Sequence, residues 1–504
     1  MEKSLAWAWG LFIVYFVFLI WLSRRGHKKT SSLKDFIVAP KAYGPVTIAL
    51  ALGATSCSAA ALMGNPGLAF SLGWPSLWYA LASVCCIYGW FISGFKLSQV
   101  GSRIGSKSLP DFLAIRFQSD FLRGFAAIVT LILIYYVAGQ FAGIGWAFQN
   151  ILGVSYSKGI IFASIIITLY IMVGGTHADI MNCALQGVFM IATCLLVIFT
   201  VYRYVGDIPT INSLLTAKDP NMSWDLVFKE PNFGLFTVPA ILAVFTLNSL
   251  TPQLSKLWFS LKKEKDIPLT ILLVTGFLFM ISMLMLVGGL GAKAAIAGKI
   301  PADTATIEVV KMFMPAPIIA IVGVGILSAI MSTLAGLFLV MAVAVSNDLF
   351  RDIIIPRMKN KMDKEEADKM ALLGTRIMIP IIMVIGLIIA YNPPPLLTQL
   401  IWVGLGGFIA GVGPVMLVGC LWRGATKTAA CLASVVGFVG FLILYFIVGR
   451  GMGVAVFAVP WGSAFAAVIA GFVVVIGVSF VTQPLPKEHL DKIFIKRNQR
   501  EATR

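Results

Sequence analysis

Long apolar runs, separated by short polar segments, follow one another along almost the whole chain. An α-helix needs about 20 apolar residues to cross a bilayer, and thirteen runs reach or approach that length. They cover residues 5–23, 45–64, 74–95, 122–150, 158–174, 178–203, 233–255, 268–291, 316–347, 371–391, 396–421, 427–449 and 455–481. The pattern predicts an all-α polytopic membrane protein with about thirteen transmembrane helices.

The composition supports a membrane protein and excludes the soluble classes. Hydrophobic residues make up 59% of the chain and charged residues only 12%, whereas soluble domains carry about 25% charged residues. The seven cysteines lie in apolar stretches and none has CxxC spacing, which argues against a disulfide framework or a metal cluster. No apolar run carries the cluster of acidic residues and histidines that an intramembrane enzyme needs, so we expect no enzymatic activity.

The net charge is +17, and its distribution predicts the orientation of the chain. Most lysines and arginines lie in the loops after the odd-numbered runs and in the C-terminal tail. Because basic loops stay in the cytoplasm, we expect a plasma (inner) membrane protein with its N-terminus outside and its C-terminus in the cytoplasm. The basic residues form no continuous patch, so the expected partner is the lipid bilayer and not a nucleic acid.

Two apolar runs are interrupted by glycine, proline and small polar residues. The second run contains the segments 53–58 and 64–67, and the seventh contains the segment 248–253. Irregular backbone is tolerated in a membrane where it is buried in protein or lines a cavity, although a kinked packing helix is the alternative at each break. The breaks lie five runs apart, and five is odd. This spacing indicates two five-helix units of opposite orientation, as in inverted-repeat transporters that bind their ligands at broken helices.

The same reasoning divides the chain into six parts. Residues 1–44 form an extra helix and a basic loop, 45–203 the first repeat, 204–232 an outer loop, 233–421 the second repeat, 422–481 two extra helices and 482–504 a cytoplasmic tail. One helix therefore precedes the two repeats, and two helices follow them.

The ninth run carries two adjacent hydroxyl residues, Ser332 and Thr333, in an otherwise apolar helix. Such hydroxyls often bond back to a carbonyl of their own helix, and this structural role is the alternative for both. Hard cations prefer oxygen ligands. The two hydroxyls, the carbonyl of Ala329 and carbonyls freed by a broken helix would together offer Na⁺ about five oxygens.

Four segments resemble motifs of the sodium:solute symporter family. They are Asp35 to Ala39 (DFIVA), Ser58 to Gly73 (SAAALMGNPGLAFSLG), Ala329 to Thr333 (AIMST) and Leu421 to Lys427 (LWRGATK). Their order and spacing extend the resemblance over nearly the whole chain, and the second segment is most similar to the pantothenate branch. The resemblance implies an inverted-repeat, leucine-transporter-like core of five plus five helices.

The resemblance also implies a Na⁺ site between the second and ninth helices. Carried over by position, its ligands are the backbone carbonyls of Ala54, Cys57 and Ala329 and the hydroxyls of Ser332 and Thr333. The residues implied to contact the solute are Ser56, Ser58, Gln140, Asn248 and Ser249. For each of these five, polar packing between helices is an equally open alternative.

This sequence departs from the family pattern in the sixth and ninth helices. A Thr-Asp pair common in the family is Asn182-Cys183 here. The serines that serve a second sodium site in some members are Ala335 and Gly336. Because these residues offer almost no oxygen ligands, we expect one Na⁺ for each transported solute.

Two charged residues near these positions have open roles. Asp179 lies four residues before Cys183 and therefore on the same helix face. Acids in transmembrane segments are functional candidates, and we consider Asp179 as a way-station for the ion on its exit, with a solvated interfacial carboxylate as the alternative. We expect Lys256 to extend its ammonium group to the cytoplasmic interface as an anchor.

The broken helices, the hydroxyl pair and the resemblance together indicate a secondary active transporter. Free N–H groups at a helix break suit a carboxylate, and the apolar core has few partners for the many hydroxyls of a sugar. We therefore expect Na⁺-coupled symport of a small organic anion, pantothenate-like or another monocarboxylate, into the cell. A proline-like amino acid as the solute and H⁺ as the coupling ion are the alternatives.

Overall fold

The computed structural model describes residues 2–28, 33–227, 237–358, 362–392 and 396–494. Within these residues eleven helices are long and apolar enough to cross a membrane, and two further apolar helices, α5 and α7, are shorter. In chain order they are α1 (Leu5–His27), α2 (Pro45–Leu72), α3 (Trp74–Gly101), α4 (Asp120–Leu152), α5 (Tyr156–Leu169), α6 (Gly175–Tyr204), α7 (Val238–Asn248), α8 (Glu264–Ala295), α9 (Ala316–Arg357), α10 (Lys364–Ala390), α11 (Leu397–Leu421), α12 (Lys427–Gly451) and α13 (Pro460–Val481). Each predicted run coincides with one of these helices, and the all-α polytopic fold class is confirmed.

The helices α5 and α6 belong to one long helical stretch, Tyr156–Tyr204, that bends at Gly175. Gly175 has φ 58° and ψ −159°, a conformation that glycine adopts without a steric penalty. A Cβ at this position would lie 2.7 Å from the ring of Phe36 in the short helix Leu33–Val38. A bend, and not a loop, therefore separates the two predicted runs.

The connection between α6 and α7, expected as an outer loop, contains a helix of its own, Ile208–Lys218. The ammonium of Lys218 donates hydrogen bonds of 2.8 to 3.1 Å to the carbonyls of Lys293, Ala294 and Ile296 at the end of α8. A lysine suits this place because the last carbonyls of a helix lack internal donors. Four of the six predicted parts contain residues that lie outside the described ones, namely 1, 29–32, 228–236, 359–361, 393–395 and 495–504.

Three helices form the centre of the molecule. Buried residues make up 94%, 83% and 72% of the most apolar stretches of α11, α9 and α2, but only 22% to 33% of those of α1, α10, α12 and α13. A helix that is apolar on all sides and mostly exposed is stable in contact with lipid and not in contact with water. The four exposed helices therefore lie at the periphery, and the two broken-helix regions lie toward the centre.

The break in α2 lies at Ser58. This helix consists of Pro45–Ala59, a π-helical turn, Ala60–Gly64, and a second segment, Asn65–Leu72. Ser58 has φ 52° and ψ −174°, a positive φ that residues other than glycine rarely adopt. The next two N–H groups bond to side chains: that of Ala59 donates to Gln140 Oε1 at 2.9 Å, and that of Ala60 to Ser58 Oγ at 3.1 Å.

The break in α7 follows Asn248, and a second helical segment begins at Pro252 (Pro252–Trp258). The N–H groups of Leu250 and Thr251 donate to the carbonyls of Leu247 and Asn248, at 3.0 Å each. Proline suits the first position of the new segment because its missing N–H would have had no helical partner there. Both breaks thus lie in the first helix of a predicted five-helix unit.

The connection between α8 and α9 places a buried carboxyl group against α2. Asp303 is 1% exposed, and its Oδ2 accepts the N–H of Leu397 at the start of α11 at 2.9 Å. Its Oδ1 has no hydrogen-bond partner among the described residues and lies against Gly67, where a Cβ would approach to 2.9 Å. Burial raises the pKa of Asp303 to about 7, although the bond from Leu397 acts in the opposite direction.

We predict that Asp303 makes the protein less stable as the pH rises through about 7. The pKa of an unfolded aspartate is near 4, so the folded protein holds the proton more tightly, and this stabilisation is lost as the buried carboxyl group ionises. Thermal unfolding from about pH 5 to about pH 8 should therefore show the Asp303→Asn variant gaining stability relative to wild type. A Tm difference that stays constant over this range would contradict the prediction.

Candidate functional site

The hydroxyls of Ser332 and Thr333 in α9 contact carbonyls of the broken part of α2. Ser332 Oγ lies 2.9 Å from the carbonyl oxygens of both Ala54 and Ala329. Thr333 Oγ1 lies 2.9 Å from the carbonyl oxygen of Thr55 and 3.2 Å from that of Ala329. All five residues are buried. We call these five residues the oxygen cluster.

The carbonyl of Thr55 is available because the break diverts its usual donor. In a regular α-helix this carbonyl would accept the N–H of Ala59, four residues later. In this structure the N–H of Ala59 donates to Gln140 instead. The hydroxyl of Thr333 then supplies the missing donor, so a side chain of α9 completes the backbone bonding of α2.

The oxygen cluster has the composition of a site for a monovalent cation. It contains three carbonyl and two hydroxyl oxygens, and hard cations prefer such ligands. Each hydroxyl can turn its proton away and present a lone pair to a cation. The cluster contains no carboxylate, so its neutral oxygens are better matched to one positive charge than to two.

One predicted ligand makes no hydrogen bond within the cluster, and one residue of the cluster was missed. The carbonyl of Cys57 accepts the N–H of Ala60, and no hydrogen bond joins it to the two hydroxyls among the described residues. The carbonyl of Thr55, which was not among the predicted ligands, accepts from the hydroxyl of Thr333. Its position four residues before Ala59, the first residue after the break, is the signal that sequence reasoning could have used.

A small cavity lies next to the cluster, between the two broken helices. Three of the residues predicted to contact the solute line it: Ser56, Ser58 and Asn248. The cavity has a volume of about 40 Å³, which is room for a few water molecules. The helices around it must therefore separate before a solute can enter.

Two polar atoms near this cavity have no hydrogen-bond partner among the described residues. They are the hydroxyl of Ser56 and Oδ1 of Asn65, both buried. Asn65 and Tyr136, which sequence reasoning missed, also line the cavity. Tyr136 lies four residues before Gln140, on the same face of α4, and Asn65 belongs to the interrupted segment of α2. These two positions in the sequence could have identified Tyr136 and Asn65 as candidate cavity residues.

The other two predicted solute residues have structural contacts. Gln140 is fully buried and its Oε1 accepts the N–H of Ala59, as described above. Ser249 donates to the carbonyl of Thr246 at 2.7 Å and packs against Gly89 of α3. Neither residue lines the cavity, and the buried Nε2 of Gln140 has no hydrogen-bond partner among the described residues. Solute contact stays a prediction for both.

Asp179 is buried and paired, not solvated at an interface. Its Oδ2 lies 2.7 Å from Nζ of Lys256, and the two side chains are only 6% and 8% exposed. The expectation that Lys256 extends to the interface is therefore wrong. The break in α7 is the reason, because Lys256 belongs to the new segment Pro252–Trp258 and does not lie at the end of a continuous helix.

Several bacterial transporters are similar to this chain in sequence. The osmoregulated proline transporter OpuE of Bacillus subtilis (strain 168) is 26% identical over 441 residues, which cover 85% of this chain and 87% of that protein. The high-affinity proline transporter PutP of the same organism is 26% identical over 427 residues, covering 82% and 86%. The sodium/proline symporter 2 of Staphylococcus saprophyticus is 24% identical and covers 85% of this chain and 84% of its own.

Two solved structures share the fold. A Na⁺-coupled sialic acid symporter in a substrate-bound, outward-open state superposes with a TM-score of 0.78 at 13% sequence identity, covering 95% of this chain and 99% of its own. A nucleobase-cation-symport-1 family transporter in a closed conformation gives a TM-score of 0.52 at 12% identity, covering 92% and 99%. The predicted leucine-transporter-like fold is confirmed.

The profile of the sodium:solute symporter family matches residues 36–437. This match includes both broken helices, the oxygen cluster and the buried pair of Asp179 and Lys256. The protein is accordingly a membrane transporter and not an enzyme. We conclude that the chain belongs to the sodium:solute symporter family.

Proposed function

We propose that this protein carries a proline-like amino acid into the cell together with Na⁺, one ion for each solute molecule. The position of the break in α2 is the observation that carries the proposal. The carbonyls of Ala54 and Thr55 face the oxygen cluster, while the following residues Ser56 and Ser58 line the cavity. The same irregular turn would therefore contact both proposed ligands.

The polar groups of the cavity support a zwitterion better than a simple anion. Two N–H groups that the break could have offered to a carboxylate, those of Ala59 and Ala60, already have side-chain acceptors. The hydroxyl of Ser56 and Oδ1 of Asn65, which have no partners among the described residues, can accept hydrogen bonds from an amine. The proline transporters among the relatives also favour the amino acid over the pantothenate-like anion, which we retain as the second candidate.

Coupling follows from the shared turn. A cation in the oxygen cluster would hold the carbonyls of Ala54 and Thr55 in place and so fix the direction of Ser56 and Ser58. If the solute binds better to α2 in this arrangement, the cation must in turn bind better when the solute is present, because linkage is reciprocal. With the N-terminus outside and the C-terminus in the cytoplasm, the downhill movement of Na⁺ across the plasma (inner) membrane drives uptake.

The residues at the positions where a second cation site is possible offer too few oxygen ligands for one. Ala335 and Gly336 offer no side-chain oxygen. Asn182 donates from Nδ2 to Ser23 Oγ of α1 at 2.9 Å, and its buried Oδ1, which has no partner among the described residues, is a single oxygen where a hard cation needs several. Cys183 presents a thiol, which is a poor ligand for a hard cation. We therefore propose a stoichiometry of one Na⁺ per solute.

Uptake into proteoliposomes tests the proposal directly. Under an inward Na⁺ gradient we expect labelled proline to accumulate, and we expect accumulation to stop when K⁺ replaces Na⁺. Pantothenate and a short monocarboxylate, measured in the same vesicles, serve as the competing solutes. An acidic exterior without Na⁺ tests H⁺ as the coupling ion.

Two kinds of uptake result would overturn parts of the proposal. Accumulation of pantothenate but not proline would overturn the amino-acid assignment and keep the coupling. Equal uptake in K⁺, or uptake driven by the pH gradient alone, would overturn the assignment of Na⁺ as the coupling ion.

The hydroxyls of the oxygen cluster can be removed one at a time. We predict that Ser332→Ala and Thr333→Val each raise the Na⁺ concentration for half-maximal uptake by about tenfold or more, because a lost polar contact in a buried site costs about 1–3 kcal/mol. Ser346→Ala is the matched control, since Ser346 is a buried hydroxyl of the same helix that bonds to Ala342 and Thr375. The same rise in the control variant would argue against a local effect at the cluster.

A further inference from the structure

The buried ion pair of Asp179 and Lys256 joins α6 to the second segment of α7, Pro252–Trp258. Removing two charges from water is costly, and a buried pair often contributes little or nothing to net stability. Ionisable residues inside a membrane protein are therefore functional candidates. The contacts of Asp179 and of Lys256 with their other neighbours indicate a role for the pair.

One oxygen of Asp179 contacts a side chain that also contacts residues of the oxygen cluster. Lys256 contacts Oδ2 at 2.7 Å, whereas the thiol of Cys183 lies 3.4 Å from Oδ1. The same thiol lies 3.6 Å from the carbonyl oxygen of Ser332 and 3.6 Å from the hydroxyl of Thr55. A single side chain, Cys183, therefore separates the carboxylate of Asp179 from two residues of the cluster.

Lys256 also has a second carboxylate within the cavity that it lines. Lys256, Ser108 and Asp348 line one small cavity between α7, α9 and the α3–α4 connection. Asp348 is fully buried, and its Oδ1 accepts from Ser108 at 2.7 Å and from Asn347 at 2.9 Å. Its Oδ2 has no hydrogen-bond partner among the described residues. A buried, unpaired carboxylate oxygen is costly, and an ammonium group would satisfy it.

We propose that the ammonium of Lys256 is a tethered cation that competes with Na⁺ for Asp179 and moves to Asp348 when Na⁺ occupies the neighbouring cluster. This inference rests on the proposed function, because it requires the cluster to bind Na⁺. When the cluster is empty, Lys256 neutralises Asp179. When a cation arrives near Asp179, repulsion between the two positive charges favours the contact of the ammonium with Asp348. The second segment of α7 then shifts from α6 toward α9.

Two substitutions should change Na⁺ affinity in opposite directions. In Lys256→Met the tethered competitor is gone and Asp179 is free to attract the ion, so the Na⁺ concentration for half-maximal effect should fall by about tenfold. In Asp348→Asn the ammonium has no second carboxylate and stays on Asp179, so this concentration should rise by about tenfold. A purely structural ion pair would not produce opposite shifts.

The measurement is the thermal stabilisation of purified full-length protein by Na⁺, with K⁺ used to keep the ionic strength constant. Anything that binds the folded state alone raises Tm as its concentration rises, so the Na⁺ midpoint can be read without knowing the solute. Lys107→Met is the matched control, because Lys107 lines the same cavity as Lys256. We expect its Na⁺ midpoint to equal that of wild type.

A double variant keeps the test valid if Lys256→Met does not fold. Asp179→Asn combined with Lys256→Met removes both charges of the pair, so neither partner is left as an uncompensated buried charge, which is the main cost of breaking such a pair. In this background Asp348→Asn should no longer shift the Na⁺ midpoint, since the ammonium and both of its partners are absent. A shift of the same size as in wild type would overturn the proposal.

The remaining outcomes separate the two proposals. Wild-type protein that Na⁺ stabilises, with midpoints unchanged in Lys256→Met and Asp348→Asn, would overturn only the role of Lys256. Equal shifts in Lys107→Met and Lys256→Met would also overturn it, by showing a general effect of cavity charge. Wild-type protein that Na⁺ does not stabilise would overturn the cation site itself.

Discussion

A backbone that leaves the helical conformation inside a membrane must find other hydrogen-bond partners, because lipid offers none. At Ser58 this constraint determines the whole site. Gln140 accepts the N–H of Ala59, and the hydroxyls of Ser332 and Thr333 donate to carbonyls of α2. The first role of the oxygen cluster is therefore structural, because its hydroxyls supply hydrogen bonds to carbonyls of α2 next to the break. A cation in the cluster would bind the same carbonyls, and the two hydroxyls would turn their protons away from them. The stability of the break and the binding of the ion therefore depend on the same oxygen atoms.

The sequence predicts those features that bilayer physics imposes locally. Each apolar run coincides with a helix because the thickness of the hydrocarbon layer fixes the length of a spanning segment. The breaks in α2 and α7 lie where glycine, proline and small polar residues interrupt the runs. Ser332 and Thr333 stand out because hydroxyl pairs are conspicuous in an apolar helix. Their contact with α2 came from the family resemblance, since no local pattern specifies which distant helix a side chain meets.

The features that the sequence did not predict depend on such distant contacts. Gln140 accepts from a residue 81 positions away, and Lys256 pairs with one 77 positions away. Lys256 follows an apolar run directly, and in a continuous helix it would reach the interface. The turn after Asn248 changes this, because a helix that begins again at Pro252 carries Lys256 into the protein. One local irregularity therefore reversed the expected environment of a charged residue.

Two kinds of contact join the helices around α6. Tyr15 of α1 accepts hydrogen bonds from Gln186 of α6 at 3.0 Å and from Ser328 of α9 at 2.9 Å, so neutral, buried bonds hold these three helices together. The two broken helices are attached to α6 differently. Thr55 of α2 reaches α6 through a thiol, which is a weak acceptor, and α7 reaches α6 through an ion pair whose ammonium has a second carboxylate nearby. The contacts of α2 and α7 with α6 therefore differ in kind from the neutral bonds among α1, α6 and α9, while α2 is joined to α9 by the hydroxyls of the oxygen cluster.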